Sequence, residues 1–236
     1  MMRSFILELD ALTCLREATA TSEVDLPAAT ALAELAGVDA MRLGVNPELN
    51  PVREEDVRDV RHVARRFELR MSPADNLFKM ALETRPDRVL LAADRRNGLP
   101  SAAPFDLRGV AGLGPILRAL TDAGIVVNAL VAPDLESVKL AHAEGLSGVE
   151  FFTGGIVDLP HRERNVELEK LGDAVRLASK LQLSIGLVGG LGYRSLREMI
   201  ETVPAAQRVA VGRAAVARAV LVGLDRALRD LRTLLA

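Results

Sequence analysis

Short, nearly continuous apolar runs recur along this chain, separated by longer stretches in which apolar residues return every three or four positions. The first run, Ser4 to Leu9, alternates polar and apolar residues at its end and predicts a strand that places Glu8 and Asp10 at its C-terminal rim. Further strands are predicted over Val38 to Val45, Phe67 to Met71, Asp87 to Ala92, Ile125 to Val131, Gly148 to Phe152, Leu183 to Val188, and from Arg208 toward Ala214. Between them the period changes to that of a helix. Pro27 opens an alanine-rich helix over Ala28 to Ala36 that Gly37 stops, and Val57, Val60 and Val63 recur at helical spacing within Glu54 to Arg66. Ser72-Pro73-Ala74-Asp75 reads as a helix start running to Arg85. Other helices are predicted over Gly112 to Ala123, Pro133 to Glu144, Asn165 to Leu181, after Gly192, and over Ala214 to Leu235 with a break near Gly223. No element is predicted between Asp10 and Pro27, and long loops are expected from Asp94 to Asp106 and from Thr153 to Arg164.

Eight such strand-helix pairs, with strands too apolar to face water on either side, are the pattern of a parallel sheet covered by helices. The economical arrangement is a single-domain (β/α)8 TIM barrel, with a doubly wound open sheet as the rival. The length of 236 residues suits one such barrel, and no Pro/Gly/Ser-rich linker or charge run divides the chain.

Composition narrows the function classes. Hydrophobic residues make up 49% of the chain, enough for a large core, while aromatics are 3%, so base-stacking platforms are not expected. A net charge of -2 with interspersed signs argues against nucleic-acid partners. No signal-like or membrane-spanning run is present, which points to a cytoplasmic protein without membrane association. Cys14 is the only cysteine, so no internal disulfide forms, and without a Cys/His cluster a zinc site is not expected.

The chemistry is anticipated where two consecutive strands end in glycine and lead into helices: Val188-Gly189-Gly190-Leu191-Gly192 and Val211-Gly212-Arg213-Ala214. In a (β/α)8 barrel the last two strand-helix turns often cradle a phosphate, because glycine admits close approach and helix-opening N–H groups suit an anion. Gly190, Gly212 and Arg213 are therefore candidate phosphate-binding residues. The competing explanation is that the glycines only satisfy the turns.

Several collinear segments carry a resemblance. Leu9-Asp10-Ala11-Leu12-Thr13-Cys14-Leu15-Arg16, Glu83-Thr84-Arg85-Pro86, Val149-Glu150-Phe151-Phe152-Thr153-Gly154, Gly190-Leu191-Gly192-Tyr193, Val211-Gly212-Arg213-Ala214 and Arg218 to Leu224 resemble the pyridoxine 5'-phosphate synthase family. That resemblance implies a cytoplasmic (β/α)8 barrel without metal or organic cofactor. It would be a homo-oligomer, a dimer or an octamer of dimers. The implied reaction condenses 1-deoxyxylulose 5-phosphate with 3-amino-2-oxopropyl phosphate to close the pyridine ring of vitamin B6. The family's first-strand Asn-x-Asp-His stands here as Glu8-Leu9-Asp10-Ala11, retaining only Asp10. An early phosphate-binding arginine falls on Thr19, the histidine ending strand two on Gly44, and the next loop's arginine and histidine on Asn46 and Pro51. The strand-three glutamate base is Arg70, a fourth-loop threonine falls on Pro100 beside Ser101, and the proton-donating histidine after strand seven is Gly189. Glu150, Gly190 and Gly212 persist, while Arg213 replaces a histidine.

Ring closure needs proton transfer by groups that titrate near neutrality, each worth about 10²- to 10⁴-fold. Their loss leads to the expectation of a divergent member that binds a phosphorylated or otherwise anionic small molecule and performs an altered condensation or proton transfer. Glu150, Asp10 and Glu8 are the candidate catalytic groups, and Arg42, Arg70 and Ser101 the candidate substrate contacts. An ion pair of Glu150 with Arg42 or Arg70 is the equally weighted structural alternative. His161, in the loop after strand six, could also reach the site. The alternatives at the level of function are a non-catalytic barrel used for binding or assembly, and authentic pyridoxine 5'-phosphate synthesis.

Overall fold

The computed structural model describes residues 3–93, 103–108 and 112–235. Eight parallel strands close into a barrel in sequence order: β1 Ser4–Glu8, β2 Ala40–Val45, β3 Phe67–Met71, β4 Arg88–Leu91, β5 Val126–Val131, β6 Gly148–Phe152, β7 Ser184–Val188 and β8 Arg208–Val211. β8 pairs with β1, Ser4 opposite Arg208, so the fold is the (β/α)8 barrel the strand pattern predicts. No described helix is long and apolar enough to cross a membrane.

The helices around it are α1 Asp10–Thr19, α2 Leu26–Leu35, α3 Glu54–Val63, α4 Asp75–Thr84, α5 Leu113–Asp122, α6 Leu135–Ala143, α7 Gly154–Val157, α8 His161–Lys180, α9 Leu196–Thr202, α10 Arg213–Val222 and α11 Leu224–Leu235. Gly223 divides α10 from α11 as expected; α11 buries Ala227, Leu228, Leu231 and Leu235. α1 is absent from the sequence reading. It leaves β1 after one residue, Leu9, which offers no side-chain cap, so neither a turn nor a capping signal announces it. The expected loop from Thr153 to Arg164 instead holds α7 and the first turn of α8, which has no side-chain cap either. Most of the expected loop from Asp94 to Asp106 lies outside the described residues, but Ala93 and Ala103 join its two ends in an antiparallel bridge.

Strand residues alternate between two environments. Phe5, Leu7, Met41, Leu43, Phe67 and Leu69 belong to the large apolar cluster shared with the helices. Ile6, Ala40, Leu90, Leu130, Val188 and Ala210 form a smaller cluster inside the barrel. The remaining inward positions are largely charged. Glu8 stands opposite Arg42, Arg42 opposite Glu68, and Glu68 opposite Arg88, an alternation of sign across four neighbouring strands.

Candidate active site

These charges meet in a buried network. Arg42 donates from Nε and Nη2 to Glu68 Oε2 at 3.1 and 2.7 Å, and from Nη1 and Nη2 to Glu150 Oε2 and Oε1 at 2.8 and 2.7 Å. Arg208 bonds Glu68 and lies 3.4 Å from Glu150 Oε1. Arg88 lies 3.8 Å from Glu68 and donates to Asn128 Oδ1 at 2.8 Å. Burial pushes the Glu150 carboxyl up, but Arg42, Arg208 and Arg88 outweigh it and hold Glu150 at about 2. Burial works against the Arg42 charge as well, and Glu150 and Glu68 overcome it. A buried ion is tolerated only when its hydrogen-bonding capacity is met, and this network meets it from both sides.

Above this layer Arg70 donates Nη1 to Glu8 Oε1 at 2.6 Å and Nη2 to Asp10 Oδ2. Asp10 Oδ1 accepts the Gly44 amide at 2.6 Å. The Asp10 carboxyl is raised from its ordinary value, because burial and the neighbouring Glu8 charge together exceed the pull of Arg70 and the Gly44 amide. Position 44 has no room for a side chain. A Cβ there would run into the Arg70 guanidinium and come within 2.7 Å of Asp10 Oδ2. The arginine at 70 and the glycine at 44 are thus one steric arrangement, in which Arg70 occupies the space that a residue-44 side chain would fill.

A cavity of about 640 Å³ opens at this end of the barrel. Its wall carries Glu8, Asp10, Cys14, Phe152, Asp158, Gly189, Gly190, Gly212 and Arg213, with Gly212 beside Glu8, whose Cβ would lie 3.0 Å from a Cβ at position 212. Helix α10 begins at this wall with Gly212 as its N-cap, and no side chain caps its first turn. The glycine turn after β7 is pinned from β6: Thr153 donates its hydroxyl to the Gly189 carbonyl at 2.5 Å, and its amide to Val188 O at 2.8 Å. Ser195 Oγ accepts the Gly192 amide at 3.1 Å. Among the described residues no group of three or more His, Cys, Asp or Glu is arranged to hold a metal ion.

The structure therefore brings together Glu8, Asp10, Gly190, Gly212 and Arg213 in one cavity, with Arg70 bonded to Glu8 and Asp10. Arg42 and Glu150 lie beneath it in the ion network and are not on its wall. Ser101 lies outside the described residues. His161 opens α8 and does not line the cavity. Sequence reasoning missed Phe152 as a wall of the site, and Glu68, Arg88 and Arg208 as members of the ion network around Glu150. The signal for the last three was available: each is a charged residue on a strand, at a position in step with the inward-facing ones.

Comparison with known proteins adds a lineage to this geometry. The family model described as "Pyridoxal phosphate biosynthesis protein PdxJ" matches residues 5–236. A pyridoxine 5'-phosphate synthase of Geotalea daltonii is 29% identical over 228 residues, 95% of each chain. One from a Synechococcus species is 32% identical over 234 residues, 98% of each chain. Among solved structures, tryptophan synthase from M. tuberculosis aligns with a TM-score of 0.66 at 14% identity over 100% of this chain and 94% of that one, a likeness of fold alone. The match along almost the entire length, on a barrel whose β7 and β8 turn glycines line the same cavity, means that this chain belongs to the PdxJ family of pyridoxal phosphate biosynthesis proteins.

Proposed function

We propose that this chain is a divergent member of that family which binds a phosphorylated or otherwise anionic small molecule at the β7–β8 end of the barrel and catalyses an altered condensation or proton transfer on it. The observation that carries the reading is the convergence of an uncapped helix N-terminus, Arg213, Asp10 and Glu8 on one cavity. Backbone N–H groups and the α10 dipole suit a phosphate, and Arg213 adds a charge-assisted donor. Asp10, raised by burial, is suited to give and take a proton nearer to neutrality than an ordinary carboxylate. Glu8 accepts hydrogen bonds from the bound molecule, and Arg70 positions both carboxylates. Glu150 acts from below as a positioning residue, fixing Arg42, which lies 3.8 Å from Glu8.

The alteration follows from the same contacts. Where the resemblance puts a glutamate base and two histidines, this chain has Arg70, Gly44 and Gly189. A side chain at 44 would meet Arg70, and a Cβ at 189 would come within 2.6 Å of Phe152. Both spaces are filled, as in a site rebuilt for another purpose. Authentic pyridoxine 5'-phosphate synthesis is the second reading, favoured by the full-length match to relatives carrying that name. A purely structural barrel fits less well, because the cavity is open and lined by carboxylates and glycine backbone rather than filled by Leu and Phe side chains.

Calorimetric titration with inorganic phosphate tests the binding half. Saturable binding that Arg213→Ala weakens supports the reading, and no binding to the folded wild-type protein overturns it.

A further inference from the structure

The cavity adjoins a second one on its β6 side. Phe152 and Gly155 also line this second cavity of about 530 Å³, walled by Pro133, Ile156, Leu159 and Val166, with Glu163 and Glu167 at its edge. The two cavities share these two residues, and only Phe152 contributes a side chain beyond hydrogen to the boundary. Its ring is seated on glycine backbone from two loops. A Cβ at Gly154 would lie 2.6 Å from Cζ, and one at Gly189 would lie 2.6 and 2.7 Å from Cε2 and Cδ2. Gly189 has φ +99°, a conformation that itself favours glycine, so ring and turn are fixed together. Thr153, the next residue, is held by the Val188 and Gly189 carbonyls, which anchors the backbone that carries the ring.

The two chambers also differ in charge. The first has Arg213 and the α10 N-terminus beside the carboxylates Glu8, Asp10 and Asp158; the second has an apolar floor with two glutamates and no cationic side chain in its lining. Only the first therefore offers an anionic group a cationic partner and helix-opening N–H groups. A molecule whose phosphate sits against α10 shares its cavity with the Phe152 ring and the acceptors Glu8 and Asp10. We propose that Phe152 is the specificity-determining residue of this site: a fixed partition that selects compact phosphate monoesters bearing hydrogen-bond donors and rejects those whose apolar extension would have to enter the neighbouring chamber. This inference rests on the phosphate reading given above and names the substrate class for it.

The test compares the affinities of glycerol 3-phosphate and 4-phenylbutyl phosphate, measured by calorimetry, in the wild-type protein, Phe152→Ala and Phe152→Leu. Leucine retains most of the packing on Gly154 and Gly189, so it reports even where the alanine variant fails to fold. The wild-type protein is expected to prefer glycerol 3-phosphate. Opening the partition is expected to shift the affinity ratio toward the long probe by about tenfold or more in Phe152→Ala, the scale of a few methylenes entering an apolar pocket, and by less in Phe152→Leu. Glycerol 3-phosphate binding with an unchanged ratio in the folded variants overturns the partition alone. Failure of the wild-type protein to bind glycerol 3-phosphate or inorganic phosphate overturns the phosphate reading and the partition with it.

Discussion

Two buried carboxylates on the inner face of this barrel, Glu150 and Asp10, are both paired with arginine yet shift in opposite directions. Glu150 is surrounded by Arg42, Arg208 and Arg88, and these cations overcome its desolvation. Asp10 has one close arginine, Arg70, which it shares with Glu8, and burial prevails. The lower network is saturated, with every carboxylate answered by more than one cation. The upper pair is undersupplied, and it faces the cavity. Where an ion network runs short of counter-charge at an open end, the surplus carboxylates are available to a ligand; where it closes on itself, the charges serve as core.

The sharpest break of this contrast is Arg42→Met. It leaves Glu68 and Glu150 short of their shared partner in the barrel interior and is expected to destabilise by about 3–5 kcal/mol in urea unfolding. Gly44→Ala comes next. The new methyl displaces Arg70 from Asp10, for about 1–3 kcal/mol of overpacking and a weakened grip on phosphate compounds. Arg213→Ala is the counterpart on the open side. This side chain is exposed, so stability should be unchanged while affinity for inorganic phosphate falls about tenfold.

A smaller effect is read from pH. Glu150 is depressed in the folded state, so its contribution to stability is present above its ordinary value of 4.5 and is lost as pH falls toward about 2. Asp10 is raised, so its contribution has the opposite sign: present below its ordinary value of 3.8, and lost as pH rises through the higher folded value. Unfolding free energies measured across this acid range should therefore lose part of their fall on acidification in Glu150→Gln, whereas Asp10→Asn should make it steeper. If both variants change the slope in the same sense, the contrast between the two carboxylates is wrong. In turnover, Glu150→Gln acts only through Arg42 and is expected to have a smaller effect than Asp10→Asn, which removes the proposed proton-transfer group.

The barrel itself was legible because eight apolar runs alternated with helical spacing, and the break at Gly223 because glycine interrupts that spacing. The helix α1 was not, since it begins beside a strand end without cap or turn residue. Gly190, Gly212 and Arg213 could be placed together from the turns that carry them. The division between Glu150 and Asp10 could not, because it depends on which arginines reach across the barrel. Arg208 and Glu68 are 140 residues apart in the chain and yet bonded. Phe152 was read as the last residue of an apolar strand, and only the glycines it packs against reveal it as a wall.

The most direct measurement is formation of pyridoxine 5'-phosphate from 1-deoxyxylulose 5-phosphate and 3-amino-2-oxopropyl phosphate, run beside one of the relatives that carries the synthase name. The proposed rebuilding of the site around Arg70, Gly44 and Phe152 predicts phosphate binding with no product, or with turnover more than about a hundredfold below the relative. Turnover comparable to the relative would contradict the account, because the filled spaces at positions 44 and 189 would then have taken nothing from the chemistry.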